Sequence, residues 1–595
     1  MVIDSLAEEL EVLSDPKRKT VLRVPRISLG GGLVAILVSL LLVVPVLLFL
    51  LQAFLPGLGS GGRVSFGLGS FAYAASGESL RGIVDSLLVS VAAAIIATAV
   101  GLILAWLLRR SDIGLKRFWS ALIWFLLLLP TYLTTEGWQR LLEPSGVLAK
   151  AHIDASLPYH VFFGPGGVIF VLGTAGVPFA YLAISVALSN LGAELEDAAR
   201  VHAGSRAETV RILVPILAPA LLSAFAIVFA ESMSDFGVAY TLASNAHFPI
   251  ATYSLYAAID SLPLNFSGAA AIGWLLVGSA MVPILLQRRL TKSRSYAVVS
   301  GRRRSVRVTH LSGGWRLGAN FFVVGFFSLA VGVPMIGIVS ASLLAGLGTS
   351  FGATSLTLSN YTRVFSSTVF GSPLHFSMWM ATATATATVA FGAYLARILA
   401  RGNQGFVSRS LDLLLLGSVA LPGIVLGAGY IFSYNQPFFS AIGLNLYGTS
   451  KLLFLGYLAS ALPSASRILM GPLSQVQSNM SHAARVHGAK PLVAWATSIL
   501  PVLSRALMSA WLLTFAKTLL ELPLSQLLYA PGFAPLSVVI NKLTAGYDYG
   551  GGTAMSVIAL GAALAVIGAA NLAYRFIAPK GWQKMGGMFD DRTKG

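Results

Sequence analysis

Long apolar runs alternate with short polar segments along the whole chain. Each run is about 20 residues or longer, enough for a helix to cross the roughly 30 Å hydrocarbon core of a bilayer. They lie at roughly 32–55, 82–108, 118–140, 166–190, 218–243 and 267–287, and then at roughly 318–345, 376–400, 410–434, 451–470, 504–530 and 551–577. The pattern predicts an all-α polytopic membrane protein with about twelve transmembrane helices, six in each half.

One polar segment occurs twice between these runs. The first copy is Asp197-Ala198-Ala199-Arg200-Val201-His202-Ala203-Gly204, and the second is His482-Ala483-Ala484-Arg485-Val486-His487-Gly488-Ala489. The copies begin 285 positions apart and lead into Pro215 and Pro501. Each predicts a short amphipathic helix that ends at its glycine, because glycine readily adopts the left-handed conformation of such a terminus. Two homologous halves of equal topology form a parallel repeat, with a pseudo-two-fold axis along the membrane normal and a pathway between them.

Basic residues indicate which side of the membrane each segment faces. They cluster before the first run, after the second, between the halves and at the C-terminal end, whereas the intervening segments carry scattered single charges. Lys and Arg collect in cytoplasmic loops, so both termini and both copies of the repeated segment are predicted to be cytoplasmic. The predicted organisation is an N-terminal segment (1–31), a first transmembrane domain (32–287), a basic linker (288–317), a second transmembrane domain (318–577) and a C-terminal tail (578–595).

Composition narrows the class of protein further. Hydrophobic residues make up 56% of the chain and charged residues only 11%, against about 25% charged in a soluble domain. The net charge of +18 is explained by the cytoplasmic loops, so we expect no nucleic-acid partner. The chain has no cysteine, which excludes disulfides and thiolate metal sites, and we expect no metal site. No G-x-x-x-x-G-K-[ST] sequence occurs, so the chain has no phosphate-binding loop with which to hydrolyse ATP.

Four of the charged residues inside apolar runs form two pairs at equivalent places in the two halves. Glu231 and Asp235 lie four positions apart and so share a helix face, and Lys517 and Glu521 hold the equivalent places in the second half. Intramembrane charge is costly and usually faces a partner or a watery path. We therefore predict that all four line a translocation path and that Glu231 pairs with Lys517; the alternative is that they anchor helix ends at the outer interface. Pro130 with Pro422, and Trp138 with Tyr430, either line the same path or serve as kinks and packing.

The doubled segment resembles a motif of known transporters. The pattern Glu-Ala-Ala, three residues, Gly, nine residues, Ile-x-Leu-Pro is similar to the coupling loop of permease subunits of type I binding-protein-dependent ABC importers. The second copy keeps Ala483-Ala484, Gly488, Leu500 and Pro501 at that spacing, with His482 in place of the glutamate. The first copy has Asp197 for the glutamate, Gly204 one position late and Pro215 one position early.

This resemblance implies a function and a set of partners. Each coupling loop would dock on one of two separate ATPase subunits, which bind ATP and magnesium, so this chain holds no cofactor of its own. An external binding protein would deliver the solute to the permease in the prokaryotic cytoplasmic membrane. Ser234-Asp235-Phe236-Gly237 and Glu521-Leu522-Pro523 resemble fused, double-length permeases for ferric iron, whose relatives carry thiamine, phosphonates and polyamines.

Two other classes of protein share parts of this pattern. Twelve spans in two parallel halves also describe secondary transporters of the major facilitator class, which would work on an ion gradient without an ATPase. The doubled loop after each fourth span disfavours that class. An intramembrane enzyme is disfavoured because the eight histidines are scattered and form no His-Glu-x-x-His motif.

Overall fold

The protein is described here by a computed structural model. The described residues are 29–58, 64–144, 146–190, 206–292, 308–344, 356–366, 368–401, 406–419, 421–441, 443, 445–475 and 479–577. Regular structure within them is helical, with three isolated β-bridges beside it.

The first half begins at a membrane-length helix and ends at another. Its α-helices are α1 (Leu29–Val38), α2 (Val44–Leu51), α3 (Gly69–Ala74), α4 (Gly77–Arg110), α5 (Lys116–Leu128), α6 (Thr131–Leu142), α7 (Val147–Lys150), α8 (Ser156–Phe162), α9 (Pro165–Asn190), α10 (Arg206–Ser234), α11 (Ala251–Asp260) and α12 (Phe266–Lys292). A short π-helical segment, Ser39–Val43, joins α1 to α2, and a second one lies at Ala239–Ala243.

The second half repeats the long helices of the first in the same order. Its α-helices are α13 (Gly313–Phe327), α14 (Val333–Ser342), α15 (Ser359–Ser366), α16 (Thr368–Arg401), α17 (Phe406–Val419), α18 (Gly423–Tyr434), α19 (Pro437–Ala441), α20 (Ser450–Gln475), α21 (Asn479–Val486), α22 (Pro491–Ser498), α23 (Leu500–Leu519), α24 (Pro523–Leu528), α25 (Leu536–Ala545) and α26 (Tyr549–Ile577). A π-helical segment, Ser328–Gly332, joins α13 to α14 as its counterpart joins α1 to α2.

Membrane-length helices dominate both halves. In the part of the chain that the structure describes, eight helical segments are long and apolar enough to cross a membrane, and the bent segment from Lys116 to Lys150 makes nine if it counts as one span. The three remaining predicted runs are also helical, as α16, as α17 with α18, and as α23 with α24. The prediction of an all-α polytopic membrane protein is therefore confirmed, while the number twelve stays a prediction.

The predicted domain boundaries differ from the helix ends by a few residues. α1 is described from Leu29, and its membrane-length part begins at Gly32. α12 continues to Lys292, five residues into the predicted linker. The first span of the second half begins at Gly313 rather than 318, and α26 is described as far as Ile577. Hydropathy marks where a helix becomes apolar, whereas its polar first and last turns extend beyond the hydrocarbon core.

The first span of each half packs against the opposite half. α2 lies on α18, and α14 lies on α6. In both places a proline in the first span meets a glycine: Pro45 meets Gly429, and Pro334 meets Gly137. The two glycines are 292 positions apart and the two prolines 289 apart, so the crossings are equivalent. The halves are therefore interlocked at two related places.

These crossings depend on the absence of a side chain at the two glycines. A Cβ atom at Gly137 would lie 2.2 Å from the Pro334 carbonyl oxygen, and one at Gly429 would lie 2.8 Å from the Pro45 carbonyl oxygen. Small residues let membrane helices approach this closely, and close approach provides the van der Waals contact that holds helices together in lipid.

Each crossing span is irregular just before its proline. The π-helical segments end two residues before Pro45 and Pro334. Proline has no amide hydrogen to donate to the carbonyl four residues earlier, which for Pro45 is that of Leu41. The Tyr430 hydroxyl donates to the Leu41 oxygen from the other half at 2.8 Å. A side chain of the other half thus provides the hydrogen-bond donor for this carbonyl oxygen, which lipid could not provide.

Hydrogen bonds join the end of the basic linker to the first half. The Thr309 amide donates to the Arg110 carbonyl oxygen at 2.7 Å, and the Leu311 amide donates to the Asp112 carboxylate at 2.9 Å. His310 Nδ1 lies 3.3 Å from the other carboxylate oxygen. The Leu311 hydrogen bond is the largest of the effects that hold the pKa of Asp112 below its ordinary value, so this carboxylate stays charged at neutral pH. Linker residues 293–307 lie outside the described residues.

We predict that Gly137→Ala destabilises the protein by about 1–3 kcal/mol, the usual cost of forcing a methyl group into a packed interface. Gly278→Ala in α12 is the matched control, because a Cβ atom there meets nothing within 4 Å. Thermal unfolding of the purified protein in detergent measures both changes. Equal melting temperatures for the two variants would show that the crossing is not tightly packed.

We also predict that Asp112→Ala speeds hydrogen exchange at the Leu311 amide, because its acceptor is removed. His310→Ala is the control: the ring is largely exposed, and its loss leaves the Leu311 hydrogen bond in place. Exchange measured by mass spectrometry on peptides that contain residues 308–313 distinguishes the two. Unchanged exchange in Asp112→Ala would contradict the attachment of the linker.

Candidate transport site

A cavity of about 440 Å³ lies between the two halves. The first half contributes the junction of α5 and α6 together with parts of α9, α10 and α12, and the second half contributes the start of α18 and parts of α20 and α23. The four charged residues predicted to line a path all line this cavity: Glu231, Asp235, Lys517 and Glu521. The structure thus brings residues from both halves to one place, while their role in transport stays a prediction.

Asp235 lies where the fifth span breaks. α10 ends at Ser234, and the Asp235 carboxylate accepts the Val238 amide hydrogen at 2.8 Å and the Thr131 hydroxyl hydrogen at 2.7 Å. Its own carbonyl oxygen accepts from the Thr252 hydroxyl at 2.8 Å. A helix start leaves amide groups without partners, and an aspartate in this position satisfies one of them. Asp235 therefore stabilises the break in the span.

Glu521 does the same in the second half. α23 ends at Leu519, and the Glu521 carboxylate accepts the amide hydrogens of Leu524 and Ser525 at 2.9 and 3.0 Å. Its carbonyl oxygen accepts from the Ser537 hydroxyl, as that of Asp235 accepts from Thr252. The two acids are therefore structural equivalents, and both also face the cavity.

Glu231 and Lys517 differ from the two capping acids. Both are exposed, and both line the cavity. The prediction that they form an ion pair is wrong for this structure, because the ion pairs between described residues do not include them. The Lys517 ammonium lies instead 5.5 Å from the centre of the Phe179 ring, where a cation is attracted to the aromatic face.

The other residues predicted either to line the path or to serve packing differ in where they lie. Pro130 lines the cavity and precedes the first residue of α6, as Pro422 precedes that of α18. Trp138 and Tyr430 are not among the cavity-lining residues. Tyr430 is fully buried and bonds to the first span of the other half, so packing is its role in this structure.

Two buried charged residues were missed by sequence reasoning. Glu136 and Arg140 lie on α6, with 3% and 5% of their surfaces exposed. The Glu136 carboxylate accepts from the Thr544 and Ser556 hydroxyls of the second half, each at 3.1 Å. The signal was present in the sequence, because two charges four positions apart interrupt the end of the third apolar run.

The second repeated segment forms the predicted short helix. α21 ends at Val486, and Gly488 adopts a φ of +87°, in the left-handed region. The Gly488 amide bonds to the Arg485 carbonyl oxygen at 3.0 Å, and the Ala489 amide bonds to that of Ala484 at 3.1 Å. This pair of bonds closes a helix end in the manner that favours glycine. Arg485 and Val486 are exposed on this helix, and Ala483 also lies on its exposed surface.

The first repeated segment, 197–204, lies outside the described residues, and Pro215 after it lies within them. The predicted coupling residues of this segment are Asp197, Ala198, Ala199, Arg200 and Gly204. The two prolines that follow the copies occupy different positions: Pro215 lies inside α10 and is exposed, whereas Pro501 is the second residue of α23 and is buried. His482 lies within α21.

Comparison with known proteins identifies the class. No family model matches the chain. The ferric transport system permease protein FbpB of Actinobacillus pleuropneumoniae is 24% identical over 508 residues, which cover 82% of this chain and 71% of that protein. The chain is related to ABC transporter permeases. The Fe(3+)-transport system permease protein FbpB 2 of Haemophilus influenzae is 23% identical over 471 residues, 79% of this chain and 85% of that protein. The sulfate transport system permease protein CysT of Salmonella typhimurium is 24% identical over 200 residues, 33% of this chain and 71% of that protein.

The similarity confirms the resemblance predicted from the doubled segment. It spans most of the chain rather than one motif, and the apolar helices agree with an integral membrane protein. ABC transporter permeases are transport components, in agreement with the expectation that this chain is not itself an enzyme.

We predict that Asp235→Ala and Glu521→Ala destabilise this permease by about 1–3 kcal/mol each, because buried amide groups lose their acceptors. Glu231→Ala and Lys517→Ala are the matched controls, since both side chains are exposed in the same cavity. Thermal unfolding in detergent compares all four variants. A control that loses as much stability as the capping variants would contradict the assignment of these roles.

Proposed function

We propose that this chain is the transmembrane permease of an ATP-driven importer that moves ferric iron into the cytoplasm by alternating access. The observation that carries the proposal is one cavity, lined by equivalent charged positions of two halves, in a chain similar to ferric transport permeases over most of its length. A binding protein outside the membrane delivers the solute, and the cavity passes it between the halves.

The energy for transport comes from separate subunits. We assign two copies of a cytoplasmic ATPase, which hold ATP and magnesium, to the two repeated segments. α21 is the docking element of the second half, because it is a short exposed helix whose end is fixed by Gly488. The equivalent contact of the first half falls on 197–204. His482 and Asp197 replace the glutamate of the family pattern, so the two contacts are chemically unequal.

The basic clusters orient the protein in the prokaryotic cytoplasmic membrane. The repeated segments, the linker and both termini face the cytoplasm under this assignment. The segments after the odd-numbered spans then face the outside, the side on which the binding protein acts. Partners of this permease are thus the bilayer, the ATPase on one side and the binding protein on the other.

The cavity chemistry bears on the choice of substrate. Ferric iron is a hard cation that prefers oxygen ligands, and three carboxylates line the cavity. Asp235 and Glu521 already accept backbone amide hydrogens, which leaves Glu231 as the carboxylate most open to a passing cation. We therefore assign substrate selection mainly to the binding protein and transient passage to the cavity.

Other solutes remain within the same class. Lys517 on the cavity surface and the similarity to sulfate permeases suit an anionic solute, and thiamine, phosphonates and polyamines are carried by the related permeases that the sequence resembles. A secondary transporter is the alternative from a different class. It would show uptake driven by an ion gradient with no ATPase bound.

We predict that Gly488→Val and Arg485→Ala each reduce recovery of the ATPase with the tagged permease at least several-fold. Valine strains the left-handed position of Gly488, and alanine removes an exposed charge from α21. Gly471→Ala in α20 is the control, since its Cβ atom meets nothing within 4 Å. Partners purified from native membranes are quantified by mass spectrometry. Permease recovered alone, with gradient-driven uptake in vesicles, would reject the importer assignment.

The binding protein recovered in the same purification identifies the solute. Its thermal unfolding is measured with ferric iron, sulfate, thiamine, a phosphonate and a polyamine. Stabilisation by ferric iron, followed by ATP-dependent uptake of radioactive iron into proteoliposomes, supports the proposed substrate. Stabilisation by one of the other solutes keeps the class and replaces the substrate.

A further inference from the structure

α6 joins the two halves through polar contacts as well as through its glycine crossing. Glu136 and Arg140 lie four positions apart and therefore project from the same side of this helix. Both are buried, and both contact residues of the second half. A charged pair inside a membrane protein is costly unless its partners are fixed, so its contacts indicate what it does.

The partners of this pair in the other half all lie on the last two helices of the chain. Within the first half, the Arg140 guanidinium also donates to the Glu143 carboxylate at 2.9 Å. Glu136 accepts from the hydroxyl of Thr544 on α25 and from that of Ser556 on α26, each at 3.1 Å. The Arg140 guanidinium lies 3.6 Å from the centre of the Tyr549 ring on α26. We call Glu136, Arg140, Thr544, Tyr549 and Ser556 the α6 latch. They bond the third span of the first half to the sixth span of the second.

The equivalent place in the other half carries no such latch. Gly137 and Gly429 make the same crossing contact 292 positions apart, which aligns α6 with α18. On that alignment Ala428 stands at the position of Glu136, and Phe432 at that of Arg140. Neither side chain has a polar group. The latch therefore belongs to one of the two related interfaces.

Chain order places the latch outside the cavity. The third span borders the cavity up to Tyr132, then passes Glu136 and Arg140, and then enters the segment assigned to the exterior. Thr544 and Tyr549 lie at the end of α25 and the start of α26, on either side of another exterior connection. The contacts thus close the two halves on the exterior side of the cavity.

We propose that the α6 latch holds the exterior side of the permease shut in its resting state and that it opens each time solute is admitted. The inference rests on the proposed importer function. Alternating access requires the exterior ends of the halves to separate, and this separation moves α6 away from α25 and α26. The Glu136 carboxylate then loses both hydroxyl donors, so the closed state is favoured until ATP and the loaded binding protein act together.

The latch determines how tightly ATP hydrolysis depends on the binding protein. Without it, the resting permease opens more readily, and the ATPase subunits hydrolyse ATP without a loaded binding protein. The change is a shift in the population of states rather than a loss of the transport machinery. Glu136 and Arg140 are positioning residues in this scheme, because they do not line the cavity.

The first test measures ATP hydrolysis by the complete permease–ATPase complex in lipid nanodiscs. Glu136→Ala and the double variant Thr544→Val with Ser556→Ala are expected to raise hydrolysis without binding protein several-fold and to reduce its stimulation by loaded binding protein. Glu136→Gln, which retains a hydrogen-bond acceptor, is expected to lie close to the unchanged protein. Ala428→Ser is the control at the equivalent site. Unchanged basal hydrolysis in well-folded latch variants would overturn the proposal.

The second test reads the opening directly and covers variants that fold poorly. The chain has no natural cysteine, so Glu136→Cys with Ser556→Cys introduces one thiol pair. Copper phenanthroline is expected to cross-link it efficiently without nucleotide and much less when ATP, vanadate and loaded binding protein are present. Equal cross-linking in both conditions would refute the latch. Absence of any ATPase partner for the unchanged protein would instead refute the importer function.

Discussion

A polypeptide backbone inside a bilayer must satisfy its own hydrogen bonds, and two acidic side chains at the wall of the cavity meet that requirement. α10 and α23 both end before their apolar runs do, and each break leaves amide groups without a helical partner. Asp235 and Glu521 accept those amide hydrogens at equivalent places. The same residues face the space between the halves. A capping interaction thus stabilises the break in each of these spans, and both breaks lie at the wall of the cavity.

The packing of each first span on the opposite half meets a second requirement of the bilayer, which is close contact between helices. Lipid provides little hydrophobic drive for helices to associate, so contact must come from close packing. Gly137 and Gly429 let the proline-containing spans approach until the backbones are in contact. The Tyr430 hydroxyl donates to the Leu41 carbonyl oxygen, to which Pro45 has no amide hydrogen to donate. Each first span lies on the opposite half. The cavity therefore lies between two halves that are interlocked at two equivalent crossings.

The sequence predicted the features that depend on pattern along the chain. Apolar runs predicted where helices lie, and Gly488 predicted the left-handed end of α21. Glu231, Asp235, Lys517 and Glu521 were expected to line one path, and they share one cavity. Features that depend on which surfaces meet were not predictable in this way. Spacing in one chain does not show that Glu231 and Lys517 stay apart, or that Asp235 caps a break instead of facing only solute. Glu136 was overlooked because its partners lie more than 400 positions away.

Fusion of the halves into one chain explains why equivalent positions carry unlike side chains. In a symmetric dimer, an acid near the axis faces an identical acid, and two like charges at close range disfavour each other. A single chain has no such restriction, since each position occurs on one side only. Glu231 in the first half corresponds to Lys517 in the second, and Glu136 corresponds to Ala428. The duplicated plan supplies the breaks, the caps and the crossings, which both halves need. Unequal side chains on that plan allow an acid in the first half and a lysine in the second half at one equivalent position of the cavity, and allow a single interface to hold the polar contacts.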